Sequence, residues 1–345
     1  MKIGIVNDSL MAAEVLRRII QSAEGLELLW IAENGEVALK FCRNDLPDLI
    51  LMDLVMPVMD GVEATRQIML DTPCAILVVT ASVTGNSSMV FEAMGAGALD
   101  VVATPILGDN GTGAAGSEEL LHKIATISHL IGCSGPRQTL SSPRAKPQES
   151  SLPPLVVIGA STGGPKALTT VLSAFPNPYP GAIVLIQHMD KKFTPGLASW
   201  LDQQIRLPVQ LINEGDQPEA GVVHLPYTDV HLLLTKQARL SYSIEPENNY
   251  YHPSVDVFLQ TVAQYWHGKI IAALLTGMGR DGAQGLLTVK RKGCHTIAQD
   301  EESSIVYGMP KAAKDLSAAK EILPLTEIGP RIIQLTEQLI SSAKK

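Results

Sequence analysis

The chain has 345 residues, enough for roughly two domains with a core each. Apolar residues make up 46%, yet no apolar run approaches the ~20 residues needed to cross a bilayer and the amino terminus lacks a signal-peptide pattern, so a soluble, cytoplasmic protein without membrane insertion is expected. A formal net charge of -8 argues against nucleic acid as a partner, because no basic face is available to meet phosphates.

Lys2–Val6 reads as a strand, followed by Asn7-Asp8-Ser9 and then by the helical period of Leu10, Val15, Leu16, Ile19 and Ile20. Asp8 is either a site residue at a strand end or a helix cap. Leu49–Met52 repeats the pattern and ends in Asp53; Ala75–Val79 repeats it again and ends in Thr80-Ala81-Ser82. Strand ends carrying Asp8, Asp53 and Thr80, alternating with helices, predict one cluster on one edge of a doubly wound sheet. Clustered carboxylates repel one another, and a hard cation such as magnesium, which prefers oxygen ligands, would relieve that repulsion.

Residues 1–132 resemble a response-regulator receiver domain through Asn7-Asp8, Leu51-Met-Asp53-Leu-x-Met56-Pro57-x-Met59-Asp60-Gly61, Thr80-Ala81-Ser82 and Gly95-Ala-Gly97-Ala98-Leu-Asp100. The resemblance implies a flavodoxin-like fold, phosphorylation at Asp53, magnesium held by Asp8 and Asp53, and Thr80 as the sensor of the aspartyl phosphate. It departs from the family at three places. The usual pair of acids is Asn7-Asp8, the usual lysine before the proline is Thr104, and the usual switch aromatic is Val101. Asn7 keeps an oxygen ligand but removes a charge, and losing the lysine removes a cation for the phosphate, so weaker or differently read phosphorylation is expected.

Gly108 to Gly116 reads as a loop and Glu118–Ile131 as a last amphipathic helix. Residues 133–154, rich in Ser, Pro, Gly and Gln, cannot bury enough surface to order themselves and read as a flexible linker. Cys42, Cys74, Cys133 and Cys294 are far apart in sequence and show no metal-binding spacing, so neither a zinc site nor a disulfide framework is predicted.

In residues 155–345 the apolar run from Leu155 breaks into Gly159-Ala-Ser161-Thr162-Gly163-Gly164-Pro165. Gly-x-Ser-x-Gly after a buried strand matches the spacing of a nucleophile elbow, although a phosphate-binding turn with the serine as a helix cap fits this stretch as well. A helix is predicted over 166–174, then the strand Ala182–Gln187 ending at His188, and later the strand Lys269–Thr276 followed by Gly277-Met278-Gly279-Arg280-Asp281. Singly, His188 reads as structural and Asp281 as a turn. Together, a serine, a histidine and an aspartate just beyond three strand ends can converge on one crevice and supply a nucleophile, a base and an orienting acid. The order Ser, His, Asp differs from that of α/β-hydrolases, which points to another, Rossmann-like parallel-sheet scaffold.

This segment resembles the catalytic domain of the chemotaxis protein-glutamate methylesterases, the CheB family. The motifs are Ile158-Gly-Ala-Ser161-Thr162-Gly-Gly-Pro165, Gln187-His188-Met189, Glu214-Gly215-Asp216, Pro253-Ser254-Val255-Asp256, Leu275-Thr276-Gly277-Met278-Gly279-x-Asp281-Gly282-Ala283 and Gln299-Asp300-Glu301. The resemblance implies a triad of Ser161, His188 and Asp281, an oxyanion held by backbone amides near Thr162 and Met278, and no cofactor for hydrolysis. Tyr251-His252 stands where the family often has His-Arg, so His252 reads as a rim residue; His224, His231, His267 and His295 read as structural. The implied activity is hydrolysis of glutamate methyl esters, with deamidation of glutamine by the same route, on the cytoplasmic region of a methyl-accepting chemoreceptor. A chemotaxis-type sensor histidine kinase would phosphorylate Asp53, and the unphosphorylated receiver would cover the Ser161 crevice. Val6-Asn7-Asp8 and Thr104-Pro105 also resemble the Wsp-type surface-sensing branch. Two alternatives stay open here: a non-catalytic regulator that docks to the receptor, and a nucleotide-binding module on the Gly159–Gly164 turn.

Overall fold

Short runs of buried aliphatic residues build two parallel sheets, one in each of the units Met1–Gly135 and Pro136–Lys345 of this computed structural model. The structure describes residues 1–81, 87–105, 112–132, 152–247, 249 and 251–343; Ser82, the start of the predicted loop at 108–111 and the predicted linker up to residue 151 lie outside them.

In the first unit β1 (Lys2–Val6), β2 (Glu27–Ala32), β3 (Leu49–Met52), β4 (Ala75–Thr80) and β5 (Asp100–Ala103) lie in the order β2-β1-β3-β4-β5, all parallel. Helices α1 (Leu10–Ser22), α2 (Gly35–Asn44), α3 (Gly61–Asp71), α4 (Ser87–Ala96) and α5 (Thr112–Gly132) alternate with them. Strand order reverses between β1 and β3, so the crevice for a ligand opens at their carboxyl ends, beside Asp8 and Asp53. The apolar period of α1 puts Val15, Leu16, Ile19 and Ile20 on the sheet, but Leu10 is 89% exposed. It opens the helix at the edge, where no sheet lies beneath it. Residues 112–116, expected as loop, are helical, tertiary context overriding the weak helix propensity of their glycines. Cys42, Cys74 and Cys294 are free thiols among the described residues.

The second unit orders its strands β14-β13-β12-β6-β7-β9-β8, again with parallel pairing. These are β6 (Leu155–Ala160), β7 (Ala182–Gln187), β8 (Val209–Ile212), β9 (Val223–Pro226), β12 (Ile270–Leu274), β13 (His295–Gln299) and β14 (Glu321–Leu323). A separate hairpin joins β10 (His231–Leu234) and β11 (Leu240–Ser243). The helices are α6 (Gly164–Leu172), α7 (Thr194–Gln204), α8 (Val255–Tyr265), α9 (Ala283–Arg291), α10 (Met309–Asp315) and α11 (Leu325–Ala343). Every residue of β6, β7 and β12 is buried, as expected for strands covered on both faces. The strand predicted to reach Thr276 stops at Leu274, because the Thr276 N–H donates to the Gln299 Oε1 at 2.8 Å rather than to a neighbouring strand. Strand β6 has β7 on one side and β12 on the other, so the three strand ends meet at a second topological switch point.

Helix α8 covers this sheet and presents Phe258 and Val262 to a core that also contains Trp266, Leu274 and Leu286. Phe258 is fully buried. Phe258→Ala should therefore lower the stability of this unit by about 3–5 kcal/mol, seen as an earlier denaturant transition of the second unit with that of the first unit unmoved.

Candidate active site

Strand β6 delivers Ser161 and then turns sharply. Gly163 has φ +75 and is the residue that caps α6, with no side-chain hydrogen bond at the cap. A side chain there would meet Ile305 as well as the left-handed backbone, so glycine is required. Ser161 is thus not a helix cap, and the phosphate-turn reading loses the role it assigned to the hydroxyl. The turn is held by its backbone: Ser161 N–H donates to Thr276 O at 3.0 Å and Gly164 N–H to Ser161 O at 2.7 Å. Gln187, the last residue of β7, donates from Nε2 to the carbonyls of both Ser161 (2.9 Å) and His188 (3.1 Å), tying the two strand ends together.

His188 follows on β7, its N–H bonded to Ala160 O at 3.0 Å. Its Nε2 faces Asp281 Oδ2 at 2.8 Å, and its Nδ1 is buried with no hydrogen-bond partner. With the proton on Nε2, donated to the carboxylate, Nδ1 is an unengaged base. The face of the imidazole is covered by Tyr251, whose ring lies 4.6 Å away and 11° from parallel.

Asp281 enters from the segment after β12 and is almost wholly buried, with four hydrogen-bond donors around it. Besides His188, Oδ2 accepts from Val255 N–H (2.6 Å); Oδ1 accepts from Ser254 Oγ–H (2.7 Å) and Asp256 N–H (3.1 Å). Ser254 is itself the cap of α8, accepting from Val257 N–H at 3.3 Å. The carboxylate therefore sits on the positive end of a helix. Burial pushes its pKa up, but the bonds from His188, Ser254 and Asp256 outweigh burial and hold it below the usual carboxylate value. The next acid behaves oppositely. Burial first, and then the charge of Asp281, push Asp256 up to about 7, although its Oδ1 accepts from Gly285 N–H at 2.6 Å.

The two amides proposed for the oxyanion flank this set. Among the described residues, backbone hydrogen bonds engage their neighbours, Ser161 N–H with Thr276 O and Gly277 N–H with Val306 O, and take up neither Thr162 N–H nor Met278 N–H. Thr276 ties both loops together, donating from Oγ1 to Thr162 O at 3.1 Å and accepting from Val306 N–H at 2.8 Å.

Three of the remaining histidines acquire partners that the sequence did not reveal. His224 accepts from Glu219 N–H (3.0 Å), His231 accepts from Ser254 N–H (3.3 Å) and His295 meets Glu321 (2.5 Å). His267 is exposed, and His252 packs its ring on His231 at 4.5 Å. Roles for Tyr251, Ser254 and Gln187 were missed. A signal for Ser254 was present in Pro253-Ser254-Val255-Asp256, a serine cap followed by an acid at a helix start.

In the first unit Asp8 is exposed and is not a cap, since Ser9 caps α1 by accepting from Ala12 N–H at 3.4 Å. Asp53, half-buried, accepts from Leu54 N–H at 2.7 Å. Burial and the charge of Asp8 push its pKa up, against bonds from the Leu54 and Val55 amides. Asn7 is buried with Oδ1 accepting from Ser9 N–H at 2.8 Å, so its oxygen already serves the chain. Thr80 is fully buried at the end of β4, and Thr104 N–H donates to its carbonyl at 2.9 Å. Val101 is buried in β5. Among the described residues no three His, Cys, Asp or Glu side chains gather as a metal site. Two mutually repelling carboxylates with oxygen donors only still fit a magnesium ion, which keeps several waters and is held by one or two carboxylates plus phosphate oxygens.

Comparison with known proteins matches a family to each unit. The family model described as CheB methylesterase matches residues 156–332, and that of the response regulator receiver domain matches residues 3–112. The chain is 52% identical over 339 residues to the protein-glutamate methylesterase/protein-glutamine glutaminase of Mesorhizobium japonicum, covering 98% of this chain and 99% of that one. It is also 52% identical to protein-glutamate methylesterase/protein-glutamine glutaminase 2 of Pseudomonas syringae pv. syringae, over 98% of this chain and all of that one (100%). The crystal structure of the Thermotoga maritima CheB methylesterase catalytic domain superposes with a TM-score of 0.51 and 36% identity, covering 54% of this chain and 100% of that one.

The paired acids make a pH signature. Between the ordinary carboxylate value of 3.8 and about 7, the unfolded chain has lost the Asp256 proton that the folded chain keeps, so this group makes stability fall as pH rises across that window. Asp281, with a lowered value, acts the other way only in acid: its contribution is present above 3.8 and is lost as pH falls through its folded value. Asp256→Asn should flatten the decline between pH 4 and 7 and leave the protein about 1–3 kcal/mol more stable than wild type at pH 8, measured by denaturant unfolding across pH.

Proposed function

The chain belongs to the CheB methylesterase family and carries a response-regulator receiver, and from that premise we propose that it hydrolyses glutamate methyl esters on methyl-accepting chemoreceptors under control of phosphorylation at Asp53. The observation that supports this reading most is that His188 is bonded at 2.8 Å to the buried carboxylate of Asp281, with Ser161 on the adjacent strand end, tied to His188 through Gln187.

Ser161 Oγ attacks the ester carbonyl while His188 Nδ1 takes the hydroxyl proton. Asp281 stays ionised, keeps the proton on Nε2 and stabilises the imidazolium that forms. The tetrahedral oxyanion is received by the N–H groups of Thr162 and Met278. Collapse breaks the carbon–oxygen bond to the methoxy group, which leaves as methanol with the proton from His188. Water, deprotonated by the same nitrogen, then attacks the acyl-enzyme and releases a glutamate carboxylate and free Ser161. A glutamine amide passes through the same steps and releases ammonia, so both activities leave glutamate.

The receiver gates this hydrolysis. Asp53 is the phosphoacceptor, and Asp8 with Asp53 would hold a magnesium ion that, when bound, neutralises charge on an incoming phosphoryl group. Asp8 sits at the strand end unencumbered by a capping role, and Thr80 closes the same edge. Asn7 is committed to Ser9 and Thr104 offers no cation, which makes the phosphorylated state less tightly held than one clamped by a lysine. The partners are the cytoplasmic region of the receptor and a histidine kinase of the chemotaxis type, and the compartment is the cytoplasm.

Methanol release from methylated receptor membranes tests both halves. Wild type should release methanol; Ser161→Ala should lose at least about a thousandfold in rate. A small phosphodonor with magnesium should raise the wild-type rate, and Asp53→Asn should abolish that increase while keeping the basal rate. Absence of release by wild type from a receptor shown to be methylated would favour a non-catalytic docking regulator instead.

A further inference from the structure

His188 is anchored at one point by its Nε2 contact with Asp281, and a single hydrogen bond leaves a ring free to pivot about that bond. The nitrogen that must receive a proton, Nδ1, lies on the far side of the ring and has no partner of its own to fix it. What restrains the plane is Tyr251, lying flat on the imidazole at 4.6 Å and 11°. Offset or parallel aromatic contact of this kind contributes modest energy but definite geometry.

Tyr251 is itself held at both ends. Its N–H donates to Asn249 Oδ1 at 3.2 Å. Its hydroxyl lies against Gly279, which has φ +82 and where any Cβ would run into the phenol oxygen. Gly279 follows Met278 and precedes Asp281 by two residues, so one aromatic ring spans from the base to the segment that carries both the acid and a proposed oxyanion amide. Tyr251 and Gly279 also line a cleft of about 540 Å³, together with Asp256, Arg280 and Asp281. Nothing in the periodicity of the sequence marks this residue, because it stands in the irregular segment before α8.

We propose that Tyr251 is a positioning residue for hydrolysis, whose ring, packed against the Met278–Asp281 segment at Gly279, fixes the plane of His188 so that Nδ1 is presented to Ser161. The inference rests on the reading of Ser161 and His188 given above. Removing the flat face should slow proton transfer without weakening substrate capture, since a small misplacement of a base costs rate rather than affinity.

A fluorophosphonate probe tests this in the full-length protein. Ser161 Oγ forms a bond to phosphorus, fluoride leaves, and the hydroxyl proton passes to His188, so the labelling rate reports the base without any receptor. Tyr251→Phe keeps the face and Tyr251→Leu keeps bulk without it. The maximal labelling rate should fall about 10- to 100-fold in Tyr251→Leu and stay within about threefold of wild type in Tyr251→Phe, with the half-saturating probe concentration unchanged in both. Equal rates for the two variants, or a loss confined to the half-saturating concentration, would overturn the role of the ring. Failure of wild type to label at Ser161 would instead overturn the triad on which the inference rests, and the inference with it.

Discussion

A buried carboxylate is the constraint around which the second unit is arranged. Taking Asp281 out of water costs several kcal/mol unless donors replace the lost hydration. Here Ser254 Oγ–H, the amides of Val255 and Asp256, and the His188 ring supply them. Three of these donors belong to the first turn of α8, whose unsatisfied N–H groups need an acceptor in any case. The helix start and the acid therefore satisfy one another, and the helix is docked where the carboxylate lies. Because α8 also buries Phe258 and Val262, the electrostatics of the site and the packing of the core are fixed by the same element.

Both units place their chemistry by the same rule. A parallel sheet reverses strand order at one point, and the loops leaving the carboxyl ends of the strands there cannot close over one another. In the first unit that point lies between β1 and β3 and carries Asp8 and Asp53; in the second it is centred on β6, with Ser161, His188 and Asp281 on adjacent strand ends. Each site also holds two acids with unlike environments. Asp53 is pushed up by burial and by Asp8, and Asp256 by burial and by Asp281. The second unit relieves its excess charge internally, by hydrogen bonds around Asp281 and by raising the pKa of Asp256, so that it holds its proton to higher pH than an ordinary carboxylate. The first unit keeps its repulsion, which suits an edge whose task is to accept a cation and a phosphoryl group.

The departures from the receiver pattern have different structural weight. Asn7 turns its oxygen to the Ser9 amide and so helps start α1, an acceptor role that does not need the charge an acid would bring. Thr104 pairs by its backbone with Thr80, leaving strand geometry intact while supplying no positive charge. In the second unit Tyr251 lays an aromatic face on the catalytic imidazole, while His252 beside it packs on His231, which in turn accepts from Ser254. Substitution at this rim reaches the triad through one or two contacts.

Much of the site was legible in the chain itself. Unbroken aliphatic runs marked β1, β3, β4, β6, β7 and β12, and the polar residue after each run marked the sheet edge, because strand length and burial are local consequences of side-chain chemistry. The Gly-x-Ser-x-Gly turn was readable for the same reason: glycine at φ +75 is a local requirement. Other features depended on assembly. That Nε2 rather than Nδ1 of His188 meets Asp281 joins residues separated by 93 positions and follows from β7 and β12 flanking β6, an order no local pattern encodes. The exposure of Leu10, the extension of α5 through its glycines, the pairing of His295 with Glu321 and the stacking of Tyr251 are likewise set by what packs alongside. Periodicity states which face of an element is buried, whereas a hydrogen bond or a ring stack needs the distance and angle between two elements, and only the folded chain fixes those.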